Sequence, residues 1–171
     1  TVSKEYGEYK HSFVVDKSWK DKIINLVFEG SMTDTEVRIN GKLAGEIHQG
    51  SFYVFKYDIS KLIKYGQKNL LEVKVSKHSS NASVNAAERE ADYWILGGIF
   101  RPVYLEALPK TYISRLSIDA RADGSYRSRI LHSGSANEIS MQVYDQQGKP
   151  FGQVVKQKVD SDSTWLNLNF S

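Results

Sequence analysis

The chain has 171 residues, 40% of them hydrophobic and 25% charged, proportions expected of a globular protein with one large or two small domains. Its 23 Lys and Arg against 20 Asp and Glu leave a net charge of only +3; the charges are scattered and form no basic stripe, which excludes nucleic acid as an expected partner. With no Cys there is no disulfide, thiolate zinc site or thiol nucleophile, and no apolar run approaches the length of a membrane span, so no membrane partner is expected.

The opening residues Thr1 to Tyr6 do not have the pattern of a signal peptide and read as mature sequence or the start of a cut segment. A periplasmic or extracellular location is expected ahead of a cytoplasmic one. The triplet Asn81-Ala82-Ser83 matches a glycosylation acceptor, a pattern that is common by chance.

Period-two alternation dominates the chain. In Lys22 to Glu29, Ile24, Leu26 and Phe28 share one face, and Asn25 and Glu29 the other. Thr35 to Asn40 repeats the pattern with Val37 and Ile39. Asn40-Gly41 then signals a tight turn, because both residues tolerate positive φ. Leu43 to His48 is predicted to return antiparallel. Tyr53 to Tyr57 reads as a short aromatic strand that fills the core. Asp58 to Ile63 predicts one helical turn, stopped at Gly66. Asn69 to Val75 sets Leu71, Val73 and Val75 against Glu72 and Lys74.

Lys77 to Ala91 is polar and long for a loop in a compact domain, which predicts a mobile or functional segment whose second half holds a short helix. Val103 to Leu108 closes the series and Pro109 ends it. The pattern restarts at Thr111, so a domain boundary is expected at Leu108-Pro109-Lys110. Beyond it come Leu116, Ile118 and Ala120, a turn at Asp123-Gly124, and a weak strand over Tyr126 to Leu131. Ile139, Met141 and Val143 mark another strand, Phe151 to Val159 the next, and Leu166, Leu168 and Phe170 the last. About five strands are readable here, where an immunoglobulin-like sandwich has about seven. The second unit is therefore expected to be cut short, with an exposed edge, an uncovered apolar face under Leu166, Leu168 and Phe170, and weak self-association.

The run Asp92-Tyr93-Trp94-Ile95-Leu96-Gly97-Gly98-Ile99-Phe100-Arg101-Pro102-Val103-Tyr104-Leu105 joins a carboxylate, a Trp and a Gly pair to an apolar strand. It resembles the closing strand of the sugar-binding-type jelly roll at the front of family 2 glycoside hydrolases, the β-galactosidases, β-glucuronidases and their relatives. Trp19 to Gly30, Val37-Arg38-Ile39-Asn40-Gly41-Lys42, Phe55 to Ser60 and Leu71 to Val75 extend the likeness over roughly residues 6–108.

The resemblance implies an all-β chain: a galactose-binding-like jelly-roll β-sandwich over residues 1–109, then a truncated immunoglobulin-like β-sandwich over 110–171. It also implies a non-catalytic fragment, inactive alone. In the family a downstream (β/α)₈ barrel carries two glutamates that hydrolyse terminal β-linked sugars with retention. The implied partners are that barrel and, in the full-length enzyme, carbohydrate. No cofactor is expected for this chain, although family members hold a monovalent or divalent cation. The alternatives are a stand-alone carbohydrate-binding module, a role open to jelly rolls of this size, and a structural interaction domain.

Two residues are substrate-binding candidates through the resemblance, Asp92 and Trp94. In family β-galactosidases the carboxylate two residues before the matching Trp reaches the rim of the barrel's active site and helps hold the terminal sugar. A carboxylate suits that work because it accepts from two hydroxyls at once. The structural alternative is that Asp92 caps a loop end. Trp94 is either a sugar-stacking platform or a packing residue of the core or a domain interface. Gly97-Gly98 is expected to allow a tight turn and Arg101 to pair with an acidic neighbour. Glu88 and Glu90 lie on a polar segment expected to be solvated, so no catalytic carboxylate is assigned. The four His residues are dispersed without metal-ligand spacing, and Asp160 to Ser163 reads as a polar turn rather than a calcium loop. The chain lacks the Trp-Asp-Trp-like segment associated with mannosidase relatives, which favours galactosidase- or glucuronidase-like parents.

Overall fold

The computed structural model describes residues 5–90, 92 and 94–169. The chain divides into two compact units, Thr1–Leu108 and Pro109–Ser171.

Unit 1 is built on two antiparallel sheets. The first sheet holds β1 (Tyr6–Val14), β4 (Asp34–Ile39), β5 (Lys42–Leu43) and β7 (Lys68–Ser76) in the order β1-β7-β4-β5. The second holds β2 (Ile23–Phe28), β6 (Phe55–Asp58) and β9 (Val103–Leu108) in the order β6-β2-β9. A two-residue pair, β3 (Ser31–Met32) with β8 (Gly98–Ile99), lies beside them, and α1 (Ala82–Glu88) is the one α-helix among the described residues.

The alternation read from the sequence places the core. Ile24, Leu26 and Phe28 of β2 pack with Val37 and Ile39 of β4 and with Val73 and Val75 of β7, all buried. Phe28 stacks on Phe55, with centroids 4.9 Å apart and rings nearly parallel. β2 departs from simple alternation, because side chains of the flanking strands, such as Lys56 of β6 and Glu106 of β9, also shield its outer face. Asn25 and Val27 are buried as well. Asn25 answers this by donating to Glu106 Oε2 at 3.0 Å, an oxygen that Lys56 also reaches at 3.2 Å. That hydrogen bond from Asn25, assisted by Lys56, holds the Glu106 carboxyl below its ordinary range.

Asn40 (φ 52°) and Gly41 (φ 81°) form the tight turn between β4 and β5. The expected strand from Leu43 to His48 is reduced to β5 and one bridge between Thr35 and His48. The aromatic strand is β6 and starts later than expected. Phe55 and Tyr57 are partly buried within it, whereas Tyr53 is exposed. Ile59 accepts from Leu62 and Ile63, the expected single helical turn.

Asn69 fastens this turn. Its side chain is buried. It accepts from Lys64 N (2.7 Å) and Asn40 Nδ2 (2.9 Å) and donates to the carbonyls of Lys64 and Gln67, each at 3.0 Å. Asn40 in turn accepts from Leu70 N at 3.0 Å. Two side-chain amides thus replace the hydrogen bonds that a loop cannot supply to its own backbone.

Unit 2 has five strands among the described residues. β10 (Tyr112–Ala120), β11 (Ser125–Ser133) and β14 (Ser163–Asn169) form one sheet in the order β10-β11-β14; β12 (Glu138–Tyr144) and β13 (Pro150–Lys158) form a hairpin. Turns with Gly124 (φ 84°) and Gly148 (φ 79°) join the hairpin partners. Ile130, Ile139 and Leu166 are buried against Met141, Val155 and Val159. The expected uncovered face under Leu166 is therefore displaced. It lies on β10, where Leu116 and Ile118 are 50% and 58% exposed. Leu166 sits on the strand that faces the hairpin, and β10 reaches past it. Phe170 lies outside the described residues. On the opposite face, the Arg127 guanidinium stacks over Trp165 at 4.1 Å.

Two stability predictions follow from unit 1. Asn69→Leu keeps the branched outline with bulkier methyl ends, unpairs Lys64 N–H and Gln67 C=O and takes one donor from Lys64 C=O. A loss of about 2–4 kcal/mol is expected, read from the shift of the urea midpoint. An unchanged midpoint would contradict the role given to Asn69. His48 stacks on Phe55 (3.7 Å) and donates from Nε2 to Gly50 O (3.1 Å). Burial pushes its pKa below 6.5 despite the opposing pull of that hydrogen bond and of Glu88 and Asp34. The unfolded chain then binds the extra proton first, so stability is full above about pH 6.5 and declines as the pH falls toward 5. His48→Gln flattens that part of a melting-temperature profile; an identical slope in the variant would remove His48 as its source.

Candidate functional site

Asp92 and Trp94 lie in the stretch between α1 and β8, and the base of that stretch is set by polar groups. Asp34, at the head of β4, is buried. Its carboxylate accepts from Ser79 Oγ (2.5 Å), Ser80 N (2.7 Å) and Ser80 Oγ (2.9 Å). Asn85 of α1 exchanges bonds with Ser79, accepting from its N–H at 2.9 Å and donating to its carbonyl at 2.7 Å. Asn81 caps the helix by accepting from Ser83 N at 3.0 Å.

Arg89 completes the attachment. It is buried, donates from Nε to Thr33 Oγ1 at 2.8 Å and lies 3.9 Å from Met32 Sδ. The Thr33 hydroxyl passes its own proton to Lys77 O at 2.9 Å. Glu88 is half-buried and accepts from Ser51 N at 2.7 Å. The polar segment from Lys77 onward is thus anchored at both ends and in its middle, which corrects the expectation of a mobile, solvated loop. Its Ser, Asn and Arg side chains are taken up by the segment's own backbone and by Thr33, Asp34 and Gln49 outside it. This also disposes of Glu88 as a solvated carboxylate, while Glu90 is exposed.

Both ends of stretch 90–97 rest on the same short strand. Arg89 reaches Met32 and Thr33 on one side, and Gly98 pairs with Met32 on the other. Gly98 has φ 96°, a conformation that favours glycine, and a Cβ there would also push the Tyr9 hydroxyl aside. Between these fixed ends Asp92 is exposed and Trp94 is 91% exposed. Packing of Trp94 into the core of this chain is thereby ruled out. Ala91 and Tyr93 lie outside the described residues. Two clefts of unit 1, of about 670 and 300 Å³, are lined by other residues than Asp92 and Trp94. Stretch 90–97 thus presents a carboxylate and an indole on a braced loop.

Further apolar groups of unit 1 are exposed. Phe52 and Phe100 meet edge to face at 6.3 Å, both exposed, and Tyr53, Val54 and Leu96 are exposed too. Arg101 was expected to pair with an acid. It donates instead to the carbonyls of Glu29 and Phe52, both at 3.3 Å, and lies 5.2 Å from the Phe100 ring. Its guanidinium fork answers carbonyls that the irregular chain leaves outside any sheet. Sequence reasoning missed Thr33, Asp34 and Arg89 as supports of the site. The one signal present was the density of Ser and Asn from Ser79 to Asn85, residue types that bond locally to backbone.

Among the described residues no group of three or more His, Asp and Glu side chains converges. A hard cation takes roughly six to eight oxygens. Asp92 alone is at most one contributor to such a shell, so these residues do not make a resident metal site by themselves.

Comparison with known proteins places this arrangement. The chain is 33% identical over 135 residues to a β-galactosidase of Thermoanaerobacter pseudethanolicus, matching 77% of this chain and 18% of that protein. It is 32% identical over 120 residues to a β-glucuronidase of Bacteroides fragilis, matching 70% of this chain and 16% of the relative. The chain therefore spans about a fifth of the length of these relatives. In fold it superposes on a Bacteroides uniformis β-glucuronidase with a TM-score of 0.80 at 20% identity, covering 98% of this chain and 22% of the other. The family model for the sugar binding domain of family 2 glycosyl hydrolases matches residues 2–109, and the chain belongs to that family.

Proposed function

We propose that the chain is the non-catalytic front part of a longer retaining β-glycosidase, and that its 90–97 loop helps hold the terminal sugar of the substrate. One observation carries this reading: the sugar-binding family match fills residues 2–109, while the chain spans only 18% of the β-galactosidase it resembles. Retaining hydrolysis needs two carboxyls about 5–5.5 Å apart across the glycosidic bond. Glu88, one of the acids next to the loop, is committed to Ser51 N. The chemistry then belongs to a downstream barrel, and this chain contributes a wall.

The exposed groups support that division. Trp94, Leu96, Tyr53 and the Phe52–Phe100 pair are large apolar groups of unit 1 left exposed to water. Each large ring covered by a partner contributes on the order of 1.5–3 kcal/mol. In this arrangement the apolar groups dock the barrel and Asp92, braced through Arg89 and Gly98, accepts from two sugar hydroxyls at the rim. Trp94 lies beside it as a stacking face. Unit 2, with five strands, is the beginning of the immunoglobulin-like sandwich that continues toward the barrel.

The reading frame beyond Ser171 tests the proposal first: a long extension containing an Asn-Glu-Pro-type acid/base segment is expected. In the full-length enzyme Asp92→Asn weakens one charge-assisted bond and raises KM roughly tenfold, or about 1.4 kcal/mol. The melting temperature stays unchanged, because Asp92 is exposed. Unaltered kinetics with a lower melting temperature would assign Asp92 to loop capping instead. The chain alone is expected not to hydrolyse chromogenic β-galactosides or β-glucuronides. Turnover abolished by a single carboxylate substitution in this chain would refute the assignment of catalysis to the barrel.

A further inference from the structure

Unit 2 gathers on one sheet face charge that is dispersed in the sequence. Four of the chain's seven arginines lie between positions 115 and 129. In the three-stranded sheet Arg129 of β11 stands between Ser117 of β10 and Trp165 of β14, and Arg127 stands between Asp119 and Asn167. Arg115 lies two residues before Ser117 and so shares their face. The core side is the other one, which carries Ile130 and Leu166. Arg115, Arg127, Arg129, Trp165 and Asn167 thus stand together on the side turned away from the core, and all five are exposed. A neighbour that covers Leu116 and Ile118 joins the core side and leaves this face free.

The charge on this face is not neutralised. Asp119 is committed to Arg121, which donates to it from Nη2 at 2.9 Å and from Nε at 3.3 Å. Arg115, Arg127 and Arg129 have no ion pair and donate no side-chain hydrogen bond among the described residues. Arg127 and Arg129 are roughly 7 Å apart along β11, and Arg115 lies diagonally across from Arg129, at about 7–8 Å. Three like charges at this spacing repel one another, and an anion seated among them relieves that repulsion.

Trp165 organises the cluster. Its ring centroid is 4.1 Å from the Arg127 guanidinium carbon and 5.7 Å from that of Arg129. Cation–π attraction orders a guanidinium and still leaves its N–H donors for an acceptor. The indole itself is 44% exposed. The face therefore offers three kinds of contact at once: N–H forks that match a carboxylate or sulfate, a flat apolar ring, and in Asn167 an amide that both donates and accepts.

That combination specifies the occupant. Nucleic acid is held through many phosphates, commonly six to ten, and three guanidiniums fall short of that. An acidic peptide uses the arginines but has no use for the indole and the amide. A chain of acidic sugars uses all three, because each unit carries hydroxyls, a C–H face and an anionic group. We propose that this face of unit 2 is a carbohydrate-binding surface for an acidic polysaccharide. Its carboxylates or sulfates sit on Arg115, Arg127 and Arg129, a sugar ring lies against Trp165, and hydroxyls meet Asn167. The inference goes beyond the sugar-holding role of the 90–97 loop. It stands on unit 2 alone and holds or fails independently of the downstream barrel.

Biolayer interferometry with the 171-residue chain tests this. The immobilised probes are polygalacturonate, a sulfated galactan, a neutral galactan, polyglutamate and a short DNA duplex. The chain is expected to bind one or both acidic polysaccharides, more weakly as salt rises, and to pass over the neutral one. Binding to either supports the proposal, and the tighter of the two identifies the preferred anion. Arg127→Gln with Arg129→Gln is expected to weaken binding roughly tenfold or more. Arg127 and Trp165 also brace the sheet through their mutual contact, so Arg115→Gln, which breaks no contact within the fold, is measured beside them. A loss on the order of threefold with an unchanged melting temperature is expected for it. Asp92→Asn is expected to bind like the parent chain. Any of four results overturns the assignment: no binding to either acidic polysaccharide, equal binding to neutral galactan, tighter binding to polyglutamate or DNA, or undiminished binding in both arginine variants. Loss of binding in Asp92→Asn would move the site to the loop and overturn it as well.

Discussion

The buried carboxylate of Asp34 is the interaction on which the functional end of unit 1 depends. It accepts three short bonds from Ser79 and Ser80, and with the neighbouring Thr33–Arg89 contact it ties a mainly polar segment to the end of β4. Charge-assisted bonds are each worth about 1.5–3 kcal/mol when well made. A buried charge or donor left unpaired costs more than that. The network is therefore held together by the penalty for losing any member. Such a device fixes a polar segment in place without an apolar core beneath it.

The same logic explains why the exposed loop is not arbitrary in position. Stretch 90–97 is suspended between Arg89 and Gly98, both seated on the few residues around Met32. The flanking residues Arg89 and Gly98 are held by Thr33 and Met32, while Asp92 and Trp94 between them are exposed.

Unit 1 combines a complete core with incomplete surroundings. Phe28, Ile24 and Ile39 are fully enclosed, while the flank between β1 and β9 and the face around Phe52 and Phe100 remain open. Unit 2 shows a related imbalance on β10. Openings at strand edges and at aromatic clusters are costly for an isolated domain. They are ordinary in a piece whose neighbours belong to the same polypeptide, which agrees with a chain about a fifth as long as its relatives.

The sequence by itself determined the strand alternation, the Asn40-Gly41 turn, the restart after Pro109 and the family likeness, because each is written in residues close together along the chain. Period two fixes which face of a strand is apolar, and a Gly in the left-handed region marks its turn locally. Only the tertiary structure decided that Asn25 is buried, that Leu166 is covered while Leu116 is not, that Arg101 serves carbonyls, and that the stretch from Lys77 to Glu90 is anchored. Those outcomes depend on residues brought together across tens of positions, such as Asp34 with Ser79 or Thr33 with Arg89. A polar side chain has the same sequence signature whether it meets water or a buried partner, and only the folded chain distinguishes the two.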